Sequence, residues 1–394
     1  MKTLIEIYDD RPMENVLSTE VFRPERTVFI CPENVAASGP MKKAIRQYFA
    51  WRGVEVECEF VPVDILSAEA LEATLREVLG RYPDCVLDIS GGGDTALFTA
   101  GMVADRTDVP AFTYSRRKNT FFNVRGASFA EKVPCPVRMD CASCFLMAGG
   151  EMLPGREDNA LLQSAMGDIS ALWQVYTRFR TVWTRQVTYM QRISQQGQAA
   201  GSLHAEGNRT VKGDRGRVTA DGALLSALAG CGLIRDLRTG EDHVSFEFKS
   251  PLVRFWLRDV GSALETKVYR ECVRSGIFDD VCLSAVVNWE AREKGNKQVT
   301  NEIDVMAVRG VKPVFISCKA TEIRTEALNE LAILRDRFGG EGSLAVIVTS
   351  VSLSSRGCRA MLARAQELNI RVISALEDGE DGAIGSRIRK LYGL

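Results

Sequence analysis

The sequence predicts an α/β protein in three parts: a doubly wound parallel sheet over residues 1–150, a helical linker with a winged-helix-like unit over 151–250, and an αβββαβ domain over 251–394. Three observations carry this reading. Short apolar runs alternate with amphipathic helical patterns up to residue 125, the composition breaks between Gly149 and Pro154, and a new order of elements begins at Pro251. A chain of 394 residues is also too long for one ordinary core.

In the first part, TLIEIY, Arg26–Cys31, VEVECEFV, CVLDIS and VPAFTYS read as strands, with helical patterns near 40–52, 68–80 and 95–106. That alternation implies parallel strands joined by helical crossovers. From Asn159 to Ile193, Leu161, Leu162, Ile169, Leu172, Trp173, Tyr176, Phe179 and Trp183 recur at helical spacing and predict connecting helices. The Gly- and charge-rich run from Gln195 to Arg217 predicts a mobile loop. A helix opening at Thr219 or Asp221, then LIRDL, the turn TGED and VSFEF make the winged-helix-like unit, whose plain reading is a subdomain packing the larger domains together. From Pro251 follow a helix through Arg274, a strand near 281–289, a hairpin of 302–308 and 313–319, a helix over 325–338, a strand over 343–349, and a further helix and strand.

Composition excludes several classes. Hydrophobic content of 45% and charged content of 26% match a globular protein rather than a disordered, fibrous or membrane one. No apolar run approaches the roughly 18 residues of a membrane span. The first apolar stretch meets Asp9 and Asp10 too early for a signal-peptide core, which predicts a cytoplasmic protein. Eleven scattered cysteines then read as buried small hydrophobes in a reducing compartment. Two histidines, His204 and His243, argue against His-ligated metal and Ser-His-Asp chemistry. A net charge of -1 advertises no nucleic acid globally, so any such site must be local.

Two motifs carry chemistry. In DCVLDISGGGDTALFTAG, Gly91, Gly92 and Gly93 follow a buried strand and precede a helix, where bare amides favour phosphate or another anion. A dinucleotide fingerprint fits the glycines but belongs on the first strand, and the next strand ends in Arg116-Arg117-Lys118 with no acid for a ribose. A tight turn that binds nothing is the plain alternative. Loops after strands of such a sheet line one crevice, so residues 91–95, 115–118 and 9–15 should converge there around a phosphodiester ligand.

The second motif is the hairpin NEIDVMAVRGVKPVFISCKAT. Glu302 and Asp304 share one face of a strand, as do Ser317 and Lys319, so two carboxylates and an ammonium can meet across the hairpin. Carboxylates collect a hard divalent cation, Mn2+ or Mg2+, and lysine positions or activates the nucleophile. Glu302 and Asp304 are the candidate metal ligands. This is the logic of PD-(D/E)xK nucleases, with helices carrying Glu265 before and Glu330 after the hairpin. Ser317 stands where the motif has its acid, and Glu302 lies on the right face to replace it.

Over essentially its full length the chain resembles the CARF (CRISPR-associated Rossmann fold) nucleases, ancillary effectors of type III CRISPR systems. The resemblance rests on DISGGGDTAL, YDDRPMENVLS, LETKVYREC, NEIDV and SCKAT. It implies a Rossmann-like CARF domain, a linker and a restriction-endonuclease-like domain. It further implies that a homodimer binds cyclic tetra-adenylate and then cuts nucleic acid, DNA and/or RNA, with manganese or magnesium. By resemblance, Asp10, Asn15, Gly92, Gly93, Asp94, Thr95 and Arg116 line the activator site, and Glu265, Glu302, Asp304 and Lys319 form the nuclease site.

Other readings compete. A CARF-type transcription regulator would use residues 219–249 to bind DNA without catalysis. Arg238 and His243 have the spacing of a HEPN ribonuclease motif, but Thr239-Gly240 interrupts the helix it needs. Cys135, Cys141 and Cys144 offer part of a zinc site, against buried thiols. The run from Trp173 to Arg185 offers stacking and phosphate contacts to nucleic acid, against plain packing.

Overall fold

The computed structural model describes residues 1–10, 12–154, 159–195, 201–214, 216–289, 299–353, 356–376 and 383–392. Its N-terminal sheet comprises β1 (Thr3–Ile7), β2 (Arg26–Cys31), β3 (Glu57–Pro62), β4 (Cys85–Asp88), β5 (Ala111–Ser115), β6 (Thr120–Arg125) and β7 (Val133–Pro134). The spatial order is β3-β2-β1-β4-β5-β6-β7. Strands up to β5 pair in parallel, and β6 and β7 add an antiparallel edge that the sequence reading lacks. Helices α1 (Met13–Phe22), α2 (Glu33–Ser38), α3 (Pro40–Trp51), α4 (Ala68–Arg81) and α5 (Asp94–Thr107) make the crossovers. Leu4, Phe29 and Tyr48 are buried on one face of the sheet and Ile5, Val28 and Leu71 on the other, which is why these strands read as unbroken apolar runs. Chain order reverses between β1 and β4, so their C-terminal loops border the crevice of a topological switch point.

The connecting region holds α6 (Cys141–Met147), β8 (Glu151–Met152), α7 (Asn159–Ser164), α8 (Met166–Arg178), α9 (Arg180–Ile193), β9 (His204–Asn208), β10 (Thr210–Gly213), β11 (Gly216–Thr219), α10 (Gly222–Gly230), β12 (Ile234–Thr239) and β13 (His243–Phe248). Among the described residues of the run predicted as a mobile loop, most lie in the strands β9, β10 and β11. β10 and β11 form a hairpin because Val211 and Val218 alternate into the core, a two-residue period hidden among Gly and charges. The aromatic run goes inward: Trp183 is buried edge-on to Tyr176, and Tyr176 lies over Trp173. Arg238 and His243 lie on the hairpin β12–β13, with His243 beside Glu206 rather than on a helix.

The C-terminal part follows as α11 (Pro251–Trp256), α12 (Ser262–Ser275), β14 (Asp280–Asn288), β15 (Thr300–Arg309), β16 (Lys312–Lys319), α13 (Thr325–Phe338), β17 (Leu344–Thr349), α14 (Arg356–Glu367), β18 (Ile370–Ser374) and α15 (Ala383–Leu391). This is the αβββαβ order. The sheet runs β18-β17-β16-β15-β14-β8, so Glu151 and Met152, at the predicted start of the linker, pair with Asn288 and Val287 at its edge. Only long-range pairing could reveal that two-residue strand. One apolar cluster continues from Leu4 and Tyr48 through Cys141 and Phe145 to Met306, Phe315 and Phe338, joining the first and last domains directly.

Candidate functional site

The paired ladder of β15 and β16 runs from Arg309↔Lys312 to Val305↔Ile316 and ends there. Asp304 and Ser317 are the first residues beyond the last pair. Where the strands part, backbone donors lose their cross-strand acceptors and need new ones. Asp304 Oδ2 supplies one, accepting from the Cys318 amide at 2.6 Å and the Ser317 hydroxyl at 3.2 Å, with Lys319 Nζ at 3.8 Å. The fork therefore fixes a carboxylate and an ammonium together, as the two-residue period predicts.

Helix α12 brings Glu265 to the same place. Burial, helped by Asp304, Asp259 and Glu302 and opposed by Lys319, pushes the Glu265 carboxyl up to about 8. Burial also raises Asp304, against Lys319 and the hydrogen bonds from Cys318 and Ser317. Asp259 is a member the sequence reading missed. It holds the start of α12, accepting from the amides of Gly261 and Ser262 at 2.9 Å each and from the Ser262 hydroxyl at 3.0 Å. The readable signal was an Asp three residues before a Ser that opens a helix. A Cβ at Gly261 would displace Glu265 Oε1 from its present position.

Glu302 is exposed on β15, opposite Val286 of β14. Glu330 lies on α13, exposed, and accepts from Asn301, the residue before Glu302. Glu265, Asp304, Asp259 and Glu302 thus set four acidic groups against the single ammonium of Lys319 that opposes them at Glu265. Their mutual repulsion in a partly buried fork is what a divalent cation would relieve, so the donor set fits Mn2+ or Mg2+. The side chains stand wider apart than one closed ligand shell. Among the described residues, the only trio with donor atoms all within 4.8 Å of one another is Cys141, Asp280 and Cys282, elsewhere in the fold.

A pH dependence follows. A carboxyl raised in the folded state favours folding below its ordinary value of 4.5, and that contribution is lost as pH rises through about 8. Metal-free protein should therefore lose thermal stability towards pH 8, with Glu265→Gln flattening the trend. Calorimetric titration should show Mn2+ binding tighten over the same range, because the cation competes with the Glu265 proton. A pH-independent Mn2+ affinity would count against Glu265 as a ligand.

At the N-terminal crevice the predicted residues divide. Asn15 is fully buried, donating to the Ile7 carbonyl at 2.8 Å and Glu6 at 3.0 Å and accepting from the Asp9 amide at 3.0 Å. It shapes the loop after β1 from below. Asp9 in turn accepts from the Gly92 amide at 3.1 Å, so that amide already has an anion. Gly91 packs against the Asn15 amide, and Gly92, at φ +114°, packs against Ile7, so neither position accepts a Cβ. Gly93, Asp94 and Thr95 are exposed at the start of α5, and Gly93 caps it with no side-chain acceptor, leaving amides open. Asp10 is exposed and borders a neighbouring crevice with Glu33 and Asp64.

Arg116 is 5% exposed and turned towards the C-terminal domain. Its Nη2 donates to the carbonyls of Gly339 at 2.7 Å and Val311 at 3.1 Å, and Nη1 to Glu14 at 3.4 Å. Asp9, Glu14, Ser90 and Arg116 share a crevice of about 440 Å³ with Gly340 and Glu341 of the C-terminal domain. The sequence placed this arginine in the crevice but could not show its second attachment.

Cys135, Cys141 and Cys144 are all buried. Cys141 lies near Cys282 and Asp280, and its amide caps onto Asp280 at 2.8 Å, so the trio is not the one spacing suggested.

Residues 253–390 match the family model described as Card1-like, endonuclease domain, so the C-terminal domain is an endonuclease domain and the protein an enzyme. Protein VC1899 from Vibrio cholerae matches over 100% of this chain and 98% of its own, at 18% identity and TM-score 0.74. Can2 from Sulfobacillus thermosulfidooxidans, solved in complex with cyclic tetra-adenylate, matches over 99% of each chain at 15% identity and TM-score 0.70. At these identities the likeness is one of fold, and it extends over the whole chain. No curated protein matches the sequence.

Proposed function

We propose, from the premise of an endonuclease domain over residues 253–390, that this protein is a metal-dependent nuclease switched on by cyclic tetra-adenylate. In this reading it is a cytoplasmic homodimer that cleaves DNA and/or RNA phosphodiesters in type III CRISPR antiviral defence. The observation that carries the reading is the strand fork, where Asp304 gathers Ser317, Cys318 and Lys319 beneath Glu265. Among the described residues no helix is long and apolar enough to cross a membrane.

Glu265, Glu302 and Asp304 would hold the cation, with Asp259 behind Glu265. A bound Mn2+ or Mg2+ supplies a hydroxide-like nucleophile and charge stabilisation at the phosphate. The chain's own groups do the rest. Cys318 and Ser317 lock Asp304 in one orientation, so no rotamer search precedes binding. Lys319, 3.8 Å from Asp304 and partly exposed, can offer its ammonium to a phosphate oxygen at the fork.

For the activator, the open amides at the start of α5 suit phosphodiesters. A cyclic tetranucleotide with twofold symmetry suits two such loops across a C2 axis. Phe98, one turn into α5 and 71% exposed, offers an apolar surface beside that loop for a second copy or a base to cover. The winged-helix-like unit supports linker duty: Leu224, Leu225 and Leu228 of α10 are buried, and α10 carries no charged side chain to meet a phosphate backbone. Incubating the purified protein with Mn2+ and RNA, single-stranded DNA or duplex DNA, with and without cyclic tetra-adenylate, tests the whole reading. Uncut substrate under every condition would favour a DNA-binding regulator.

Glu302 replaces the acid missing at Ser317, because residues two apart on β15 share a face and the longer glutamate reaches further. Glu302→Gln should raise the Mn2+ concentration for half-maximal cleavage by about tenfold. Ser317→Asp in that background should recover part of the loss. Wild-type cleavage by Glu302→Gln across a full metal titration would hand the role to Asp259 or Glu265.

A further inference from the structure

The turn joining β15 and β16, at the end of the hairpin remote from the fork, is held by the sensing domain. Arg116 Nη2 donates to the Val311 carbonyl at 3.1 Å, the Met139 amide to the Gly310 carbonyl at 2.8 Å, and Lys312 Nζ to the Arg117 carbonyl at 3.1 Å. The same guanidinium donates to the Gly339 carbonyl at 2.7 Å, an otherwise orphaned group at the end of α13. Gly340, at φ +68°, packs its backbone against that guanidinium, with no room for a Cβ. On its other side Arg116 meets Glu14, in the first turn of α1 and on the wall of the ligand crevice. Arg116 Nε is buried with no hydrogen-bond partner, a spare donor at the edge of the crevice that Arg116 lines.

Resting on the activator reading above, we infer that Arg116 is the residue through which the occupied crevice acts on the nuclease site. It is a positioning residue, one step removed from the chemistry. A phosphodiester entering the crevice that Arg116 lines adds negative charge close to the guanidinium. That charge competes with the Val311 and Gly339 carbonyls for the same cation. The hairpin is a pair of hydrogen-bonded strands, stiff along its length, so a shift at Val311 is transmitted to Asp304, about 20 Å away by strand rise. At that fork a small displacement of Asp304 relative to Glu265 decides whether their carboxylates converge. Binding energy is thereby spent on two arrangements of one packed element, as coupling between distant sites requires.

The test titrates cyclic tetra-adenylate against cleavage rate for wild type, Arg116→Lys and Lys312→Met, with activator binding measured by calorimetry. Lysine keeps the charge but cannot reach Glu14 and two carbonyls at once. The expected result is a cleavage plateau lowered by about tenfold at saturating activator in Arg116→Lys. Lys312→Met, which removes one exposed tie and spares the fold, should lower the plateau by about twofold. Activator-induced change in amide exchange over 303–312 should be seen in wild type and diminished in both variants. A plateau at the wild-type level, with or without a shifted midpoint, makes Arg116 a ligand contact or scaffold residue and overturns the inference. Wild type that neither binds nor responds to activator removes the activator reading itself, a distinct outcome visible without any variant.

Discussion

Asp304→Asn should lower activated cleavage by on the order of a hundredfold or more, with binding of cyclic tetra-adenylate unchanged. Asp304 touches Ser317, Cys318 and Lys319 together, so it sets both the anionic ligand and the position of the ammonium. Asparagine keeps the shape but halves the accepting oxygens, and it presents an NH2 where the Cys318 amide and Ser317 hydroxyl already donate. It also removes the charge that faces Lys319 and that helps Glu265 keep its proton. Single-turnover cleavage in Mn2+ measures the rate, and a thermal melt separates lost chemistry from lost folding. Undiminished cutting by a folded Asp304→Asn would show that the fork is structural.

Cyclic tetra-adenylate should raise the wild-type cleavage rate by roughly 10- to 100-fold. The crevice and the fork lie in different domains, so activator can act only through differential affinity for two arrangements of the molecule. One continuous apolar cluster and the clasp around Val311 provide the mechanical continuity. Shortened linear oligoadenylate, which lacks the ring's twofold match to two copies of the loop, should activate far less. Equal rates with and without the cyclic ligand, at concentrations that calorimetry shows to saturate the site, would sink gating while leaving the endonuclease domain intact.

The order of elements was legible because it is written in local periodicities. Two-residue alternation marks NEIDV and FISCK, helical spacing marks 325–338, and three glycines between a strand and a helix mark the phosphate-type turn. The same alternation put Glu302 with Asp304 and Ser317 with Lys319, which is why the grouping of these side chains on shared strand faces was legible in the sequence. What failed was also local: GNRTVKGDRGR looks like a loop because Gly and charge outnumber its one valine, and only the packing of Val211 and the following Val218 makes it a hairpin.

By itself, then, the sequence determined the α/β class, the order of elements, and the residue types gathered at the two sites, since each is carried by neighbours within one strand or turn. Tertiary structure alone decided which of those side chains are buried and what each one touches. Asn15 turned out to be buried scaffolding, Asp9 took the Gly92 amide, Asp259 joined the acidic group through the start of α12, and Arg116 reached across to Val311 and Gly339. These are contacts between residues tens to hundreds of positions apart. A side chain's partners there are set by how whole domains pack, and no periodicity along the chain records that packing.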